Sequence, residues 1–207
     1  RVIKSAEKSI RFGDFEAAMS TCYHALKKYP KNPRLNALAK RLTEPQIDRI
    51  PQSVVEELQS LSLNSEWLLL TKRCLELLES YENSAIVWNF LGCGQLKKGY
   101  ALLAKSSLMK SVQIDPEYAG AYSNLGNALH EIGELEASEK AQKMSLRLDP
   151  DVATAHNNLG ALYETLGKHE EALQSFQKSH SLDPEYASGE YNLGGANLQK
   201  KNFKKGW

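Results

Sequence analysis

Side chains that could catalyse a reaction or bind a metal ion are scattered along this sequence of 207 residues. No two histidines have the spacing of the HExxH metal-binding motif, and no GxSxG motif of a hydrolase occurs. The cysteines are odd in number and lack a CxxC pair, which predicts buried thiols in a reducing compartment. We therefore predict that this chain is not an enzyme and holds no metal ion and no cofactor. The residues concerned are His24, His130, His156, His169, His180, Cys22, Cys74 and Cys93.

One polar pattern is regular enough to indicate a binding function. Asn124, Asn158 and Asn192 recur at one constant spacing along the chain. A side-chain amide donates and accepts hydrogen bonds, so a row of amides at fixed spacing could bind a peptide main chain without reading its side chains. A second interpretation stays open, in which these amides hydrogen-bond adjacent helices to each other. Phe90 interrupts the row at its first position, although Asn89 is adjacent.

Residues expected on the same helix face as this row are small, polar and mostly uncharged. His130, Glu164 and Ser188 belong to this expected face. Besides the three asparagines of the row, the residues that we predict to contact a peptide are Asn89, Ser123, Asn127, Thr154, Asn157 and Tyr191.

The elements that must position these residues follow from a sequence period of about 34 residues. Within one period, the apolar stripe of residues 153–166 predicts a first helix, Gly167 a turn, and residues 169–181 a second helix. Gly160 lies where the first helix must approach the second, because a side chain there would push the two backbones apart. A single such hairpin cannot bury both faces, so it stacks on the next copy. The period appears in Asp115-Pro116, Asp149-Pro150 and Asp183-Pro184, in Leu91-Gly92, Leu125-Gly126, Leu159-Gly160 and Leu193-Gly194, and in Gly99, Gly133 and Gly167.

These features resemble the tetratricopeptide repeat, whose pattern is Trp-x2-Leu-Gly-x2-Tyr, then Ala-x3-Phe, then Pro. The matching residues are Trp88-x2-Leu91-Gly92, Leu159-Gly160-x2-Tyr163, Ala172-x3-Phe176 and Pro184. The second copy departs from the pattern, with Ser138 and Gln142 in place of Ala and Phe. The resemblance implies an all-α, right-handed superhelical solenoid of antiparallel helix pairs, with the first helices along the concave surface.

The domain organisation follows from where the repeat pattern is strong, weak or interrupted. The pattern is weak before residue 85, and two prolines interrupt it between residues 44 and 51. In the first weak repeat after the interruption, Asn64 stands where later repeats have glycine, and we expect it to adopt the left-handed conformation. We predict a degenerate repeat-like helical module (1–43), a linker (44–51) and a solenoid (52–207). Within the solenoid we expect a degenerate repeat (52–84), full repeats (85–118, 119–152 and 153–186) and a truncated repeat (187–207).

The asparagine row makes the family comparison more specific. It is similar to the repeats of O-linked N-acetylglucosamine transferases, in which an asparagine ladder holds an extended polypeptide. It differs from repeats that clamp a chaperone's terminal carboxylate with Lys and Arg, because Thr154, Asn158 and Ser188 are not cationic. Residues 202–207 resemble repeats that lead into glycosyltransferases, and the basic opening module resembles bacterial repeat–sulfotransferase proteins.

Three functions are therefore predicted. The first is a protein-interaction module that binds an extended polypeptide in the concave groove. The second is the substrate-recruiting N-terminal arm of a larger glycosyltransferase or sulfotransferase. The third is a self-assembling scaffold, or homo-oligomer, that forms through the incomplete C-terminal hairpin.

Composition narrows the class of partner. With 26 Lys and Arg against 25 Asp and Glu, the net charge of +1 gives no reason to expect nucleic acid. The apolar runs are far shorter than the ~18 residues of a membrane span. We predict a protein or peptide partner, no nucleic acid, no membrane span and a cytoplasmic location. Residues 1–50 carry 11 Lys and Arg against 5 Asp and Glu, which fits solvated helix faces or contact with an anionic partner or the rest of the chain.

Overall fold

The computed structural model describes residues 2–11, 15–43, 50–186, 189 and 191–197, and no β-strand occurs among them. The predicted all-α architecture of paired antiparallel helices is confirmed. The chain divides into two compact units, Arg1–Phe90 and Leu91–Trp207. The predicted linker lies outside the described residues at 44–49, as does the predicted truncated repeat apart from 189 and 191–197. The predicted domain boundaries stay a prediction.

The first unit consists of short amphipathic helices. Ala6, Ala18, Cys22 and Leu38 form a buried core among the first three of them. Of the three cysteines predicted to be buried, Cys22 and Cys74 are free, buried thiols, whereas the free thiol Cys93 is only half-buried. The helices are α1 (Val2–Arg11), α2 (Phe15–Lys28), α3 (Pro33–Thr43), α4 (Gln52–Leu63) and α5 (Trp67–Leu78).

The second unit is a series of helix hairpins. Helix α6 contains the division between the two units, and the helices after it each pack on the next in the chain. Residues 191–197 are also helical and bring Ala196 into a core with Ala172, Leu173 and Phe176. The helices are α6 (Ala85–Lys97), α7 (Ala101–Ile114), α8 (Ala119–Glu131), α9 (Leu135–Leu148), α10 (Ala153–Thr165) and α11 (His169–Leu182).

In the hairpins at 119–152 and 153–186, the two helices approach closely at the glycine of the Leu-Gly pair, as predicted for Gly160. A Cβ atom on Gly160 would lie 2.5 Å from Cε1 of Phe176, whose side chain is almost fully buried. A Cβ atom on Gly126 would lie 2.5 Å from Nε2 of Gln142. The missing side chains allow the buried residue of the second helix to lie against the first helix backbone.

The turns inside the hairpins use the left-handed backbone conformation. Gly99, Gly133 and Gly167 have φ values of 82°, 81° and 70°, which glycine adopts without the steric strain that other residues meet. The prediction for Asn64 is wrong by one residue: its φ is −78°, whereas Ser65 has a φ of 59°. The helices before these turns end in the same two backbone hydrogen bonds, so the position of the left-handed residue is fixed by the helix end and not by residue type.

Ion pairs join successive hairpins, and the same two positions carry opposite signs in neighbouring copies. Lys105 Nζ lies 2.7 Å from Glu134 Oε1. At the equivalent positions of the next copy, Glu139 Oε2 lies 3.5 Å from Lys168 Nζ. A hydrogen bond from Lys143, assisted by the charge of Lys168, lowers the pKa of the Glu139 carboxyl below its usual value.

Substitution of Gly160 by Ala should test the close approach. We expect Gly160→Ala to lower the free energy of unfolding by about 1–3 kcal/mol, because the buried Phe176 ring must move. Gly194, one period later, is the matched control, since its Cβ would meet no atom within 4 Å in the described part of the chain. Gly194→Ala should be neutral or stabilise by up to about 1 kcal/mol. Equal effects of the two variants in urea unfolding would contradict this account.

Substitution of Glu139 by Gln should reveal the ion pairs through pH. Because folding lowers the pKa of Glu139, its ionised carboxylate stabilises the folded state. This stabilisation is complete above the pKa that Glu139 has in the unfolded chain, and it is lost as the pH falls through the pKa in the folded chain. We expect Glu139→Gln to destabilise by about 0.5–1 kcal/mol at neutral pH, and the difference from wild type to shrink below pH ~4. Unfolding curves of Glu136→Gln, an exposed carboxylate on the same helix, provide the control. A difference that is independent of pH would show that the carboxylate charge is irrelevant.

Candidate peptide-binding surface

The three asparagines of the predicted row lie at equivalent places in successive hairpins. Asn124 is on α8, Asn158 is on α10, and Asn192 is in the helical segment 191–197. All three side chains are half-buried. They therefore lie neither in a dry helix contact nor fully in solvent. We call these three residues the amide row.

Hydrogen bonds tie the amide row to the preceding first helix. Nδ2 of Asn158 donates to Oγ of Ser123 at 3.1 Å. Nδ2 of Asn192 donates to Oδ1 of Asn157 at 2.9 Å. Both bonds reach back 35 residues, so they join equivalent helices in two successive copies. The second interpretation of the row, that its amides join adjacent helices, is therefore correct for these two residues.

Asn124 forms a hydrogen bond with the thiol of Cys93 on α6. Burial raises the pKa of Cys93 to about 12, although the charge of Lys97 and the hydrogen bond with Asn124 favour the thiolate. The thiol is therefore protonated at neutral pH and is a poor nucleophile. Cys93 therefore contributes to the hydrogen bonding around the amide row.

Several residues that were predicted to contact a peptide lie inside helix contacts. Ser123, Asn157 and Asn89 are only 4%, 5% and 6% exposed. The expectation that they face a ligand is corrected, since burial removes them from the accessible surface. Ser123 and Asn157 instead accept the hydrogen bonds of the amide row.

The other predicted residues are accessible, at least in part. Asn127 is half-buried and accepts a hydrogen bond at 3.0 Å from Nε2 of Gln142, the residue that replaces the consensus Phe. Thr154 is exposed, one helical turn before Asn158. Tyr191 is 83% exposed. Whether these residues contact a peptide stays a prediction.

Two helices extend the amide row into a surface. Residues at i, i+4, i+7 and i+11 share one helix face, and on both helices all four are half-buried or exposed. Nε2 of His130 lies 2.8 Å from Oγ1 of Thr165 and joins the two helices near one end. The surface contains one charged side chain, a glutamate. Its residues are Gly120, Asn124, Asn127 and Glu131 on α8, and Thr154, Asn158, Ala161 and Thr165 on α10.

Sequence reasoning missed Gly120, Glu131, Ala161 and Thr165 as members of this surface. Their helical spacing from Asn124 and Asn158 identifies them in the sequence. Residues directly adjacent to the asparagines along the chain point to other faces of the helix. The described residues contain no group of three His, Cys, Asp or Glu side chains that could hold a metal ion. Within the same residues, no helix is long and apolar enough to cross a membrane.

Comparison with known proteins identifies the repeat. Residues 117–185 match the tetratricopeptide repeat family. The crystal structure of MamA is similar, with a TM-score of 0.57 and 25% identity, over 70% of this chain and 84% of that chain. TTC0263, a tetratricopeptide-repeat protein of Thermus thermophilus, has a TM-score of 0.60 and 19% identity, over 95% and 97% of the two chains.

A third similar structure is the first tetratricopeptide repeat domain of Spaghetti (RPAP3) bound to the HSP90 peptide SRMEEVD. Its TM-score is 0.53 and its identity 20%, over 56% of this chain and 93% of that chain. No curated protein matches the sequence.

The fold and the comparisons together define the class. The chain is an all-α helical-repeat protein built from stacked hairpins. More specifically, residues 117–185 match the model of the tetratricopeptide repeat family. The similarity to transferase-fused repeats, the self-assembly and the cytoplasmic location stay predictions.

A double-mutant cycle should measure the hydrogen bond between Asn158 and Ser123. We expect Asn158→Ala and Ser123→Ala to be coupled by about 0.5–1.5 kcal/mol in the free energy of unfolding, because either variant removes the same bond. Thr154→Ala, on the same helix but exposed, should change stability by less than about 0.5 kcal/mol. Additive effects of the first two substitutions would mean that the bond contributes nothing.

Proposed function

We propose that the amide row and the surface around it bind an extended polypeptide through its main chain. The observation that carries the proposal is the fixed orientation of the amides. Asn158 and Asn192 each use one N–H on the neighbouring helix. This bond sets the rotamer, so Oδ1 and the second N–H of Asn158 have a defined direction before any ligand binds. Such preorganisation lowers the entropic cost of binding.

The composition of the surface supports recognition of the main chain. Its residues are mainly Gly, Ala, Thr and Asn, and their short side chains allow a backbone to approach. A side-chain amide offers both a donor and an acceptor, the two groups that a peptide unit needs. Every residue of a peptide except proline carries the same main-chain groups, so this mode of recognition tolerates many sequences.

The charge of the surface argues against an acidic terminal peptide. Spaghetti (RPAP3) was solved with SRMEEVD, a peptide that ends in acidic residues and a carboxylate. The surface on α8 and α10 includes no Lys or Arg, and Glu131 would repel an anionic ligand. We therefore expect the bound segment to be internal and weakly charged.

The test begins with a peptide selected by the full chain from a display library of random peptides. Substitution of Asn124, Asn158 and Asn192 together by Ala should raise its Kd at least tenfold, since each hydrogen bond contributes about 1 kcal/mol. The matched control is a triple Ala variant of three exposed amides on second helices, Gln113, Gln174 and Gln177, which should leave Kd unchanged. Circular dichroism and thermal unfolding confirm that both variants are folded at the temperature of the titration.

Chemical changes to the peptide separate main-chain from side-chain recognition. N-methylation at alternate peptide units should weaken binding strongly, while an alanine scan of the same peptide should have small effects. Failure to select any binder, or an amide-row variant that binds like wild type, would refute the proposal. An alanine scan that abolishes binding while N-methylation does not would show that side chains are read instead.

A further inference from the structure

Helix α7 has an apolar face that is exposed to solvent. Leu102, Leu103 and Met109 are 68%, 57% and 52% exposed, and Tyr100 just before the helix is 52% exposed. The opposite face of α7 fills the core with Ala104 and Leu108, which are fully buried. The helix is therefore apolar on both sides, although only one side is used by the fold.

The repeat itself does not require apolar residues at these places. The positions one and two periods after Leu102, Leu103 and Met109 lie on α9 and α11, and most of the residues there are polar or charged. Among the full repeats, these apolar residues occur only on α7. The degenerate repeat before it carries exposed leucines at the same positions of α5, namely Leu68, Leu69 and Leu75. The equivalent residues are Glu136, Ala137 and Lys143 on α9, and Glu170, Glu171 and Gln177 on α11.

The chain segment that carries this face has no acidic residue of its own. Residues 83–114 contain no Asp or Glu, whereas Lys98 and Lys110 lie beside the apolar residues. Nζ of Lys98 lies 5.4 Å from the centre of the Tyr100 ring. Lys105 is neutralised by Glu134, but no ion pair involves Lys110 in the described part of the chain. A partner that covers the apolar residues therefore gains by bringing carboxylates to the edge of the face.

We propose that the outer face of α7 binds an amphipathic helix of another protein, with apolar residues in the centre and Asp or Glu at the edges. The spacing supports a helix as the occupant. Leu102 and Met109 are seven residues apart, which is about 10.5 Å along the helix axis. A partner helix that lies along α7 presents its own residues i and i+7 at the same separation. This site is on a second helix and is independent of the amide row.

The probe is a synthetic helical peptide of about 18 residues with Leu at i, i+4, i+7 and i+11 and Glu on both flanks. A second peptide has Lys in place of every Glu. Fluorescence anisotropy with the full chain should show saturable binding of the Glu peptide that weakens as salt is raised, and at least tenfold weaker binding of the Lys peptide.

The key variant gives α7 the residues of α9 at the same positions: Leu102→Glu, Leu103→Ala and Met109→Lys. It should fold, because α9 carries these residues in the same repeat geometry, and it should lose at least tenfold in affinity for the Glu peptide. Lys110→Glu alone leaves the apolar residues in place and should weaken binding of the Glu peptide while strengthening that of the Lys peptide. If the triple variant does not fold, this charge reversal is the deciding measurement.

Each other outcome would overturn the proposal. Equal binding of the Glu and Lys peptides, or no binding of either, would remove the charge complementarity on which it depends. Self-association of the wild-type chain in sedimentation, absent in the triple variant, would identify a second copy as the occupant. Binding to phosphatidylserine vesicles that the triple variant loses, without binding of the Glu peptide, would identify a membrane surface instead.

Discussion

The close approach of two helix backbones within the hairpins at 119–152 and 153–186 is the constraint on which the second unit depends. Gly126 and Gly160 leave room for Gln142 and Phe176 to lie directly on the first helix. With that contact in place, the residues on the rest of the first helix have fixed directions. The helices that carry Asn124 and Asn158 are held against their partners by this contact, and the hydrogen bonds of the amide row act between helices that are already fixed in place.

In the proposed function, the amide row has two roles that share the same side chains. One N–H of Asn158 holds the neighbouring first helix through Ser123, and Asn192 does the same through Asn157. If these side chains only packed helices together, apolar side chains in their place would make the fold more stable, because a half-buried amide must keep its hydrogen bonds satisfied. Retaining an amide at three equivalent places is consistent with a use for its remaining groups on the solvent side.

The sequence pattern predicts the hairpins well because their constraints are local. A left-handed turn selects Gly167, and a backbone contact selects Gly160, so both can be identified from spacing alone. The candidate site was predicted less completely. Neighbouring helix residues point about 100° apart, and for that reason Ser123 and Asn157 are buried while Asn124 and Asn158 are not. Their burial depends on the next hairpin, which no local pattern describes.

The alternating ion pairs have a consequence for how this array could be rearranged. Lys105 pairs with Glu134 at one contact between hairpins, and Glu139 pairs with Lys168 at the next. The positive and negative positions are therefore exchanged from one contact to the next. A tandem duplication of the hairpin at 119–152 would bring Glu139 against a second glutamate, and deletion of that hairpin would bring Lys105 against Lys168. Recombination between copies would therefore place like charges in contact between hairpins, so the charges disfavour any other order of these hairpins.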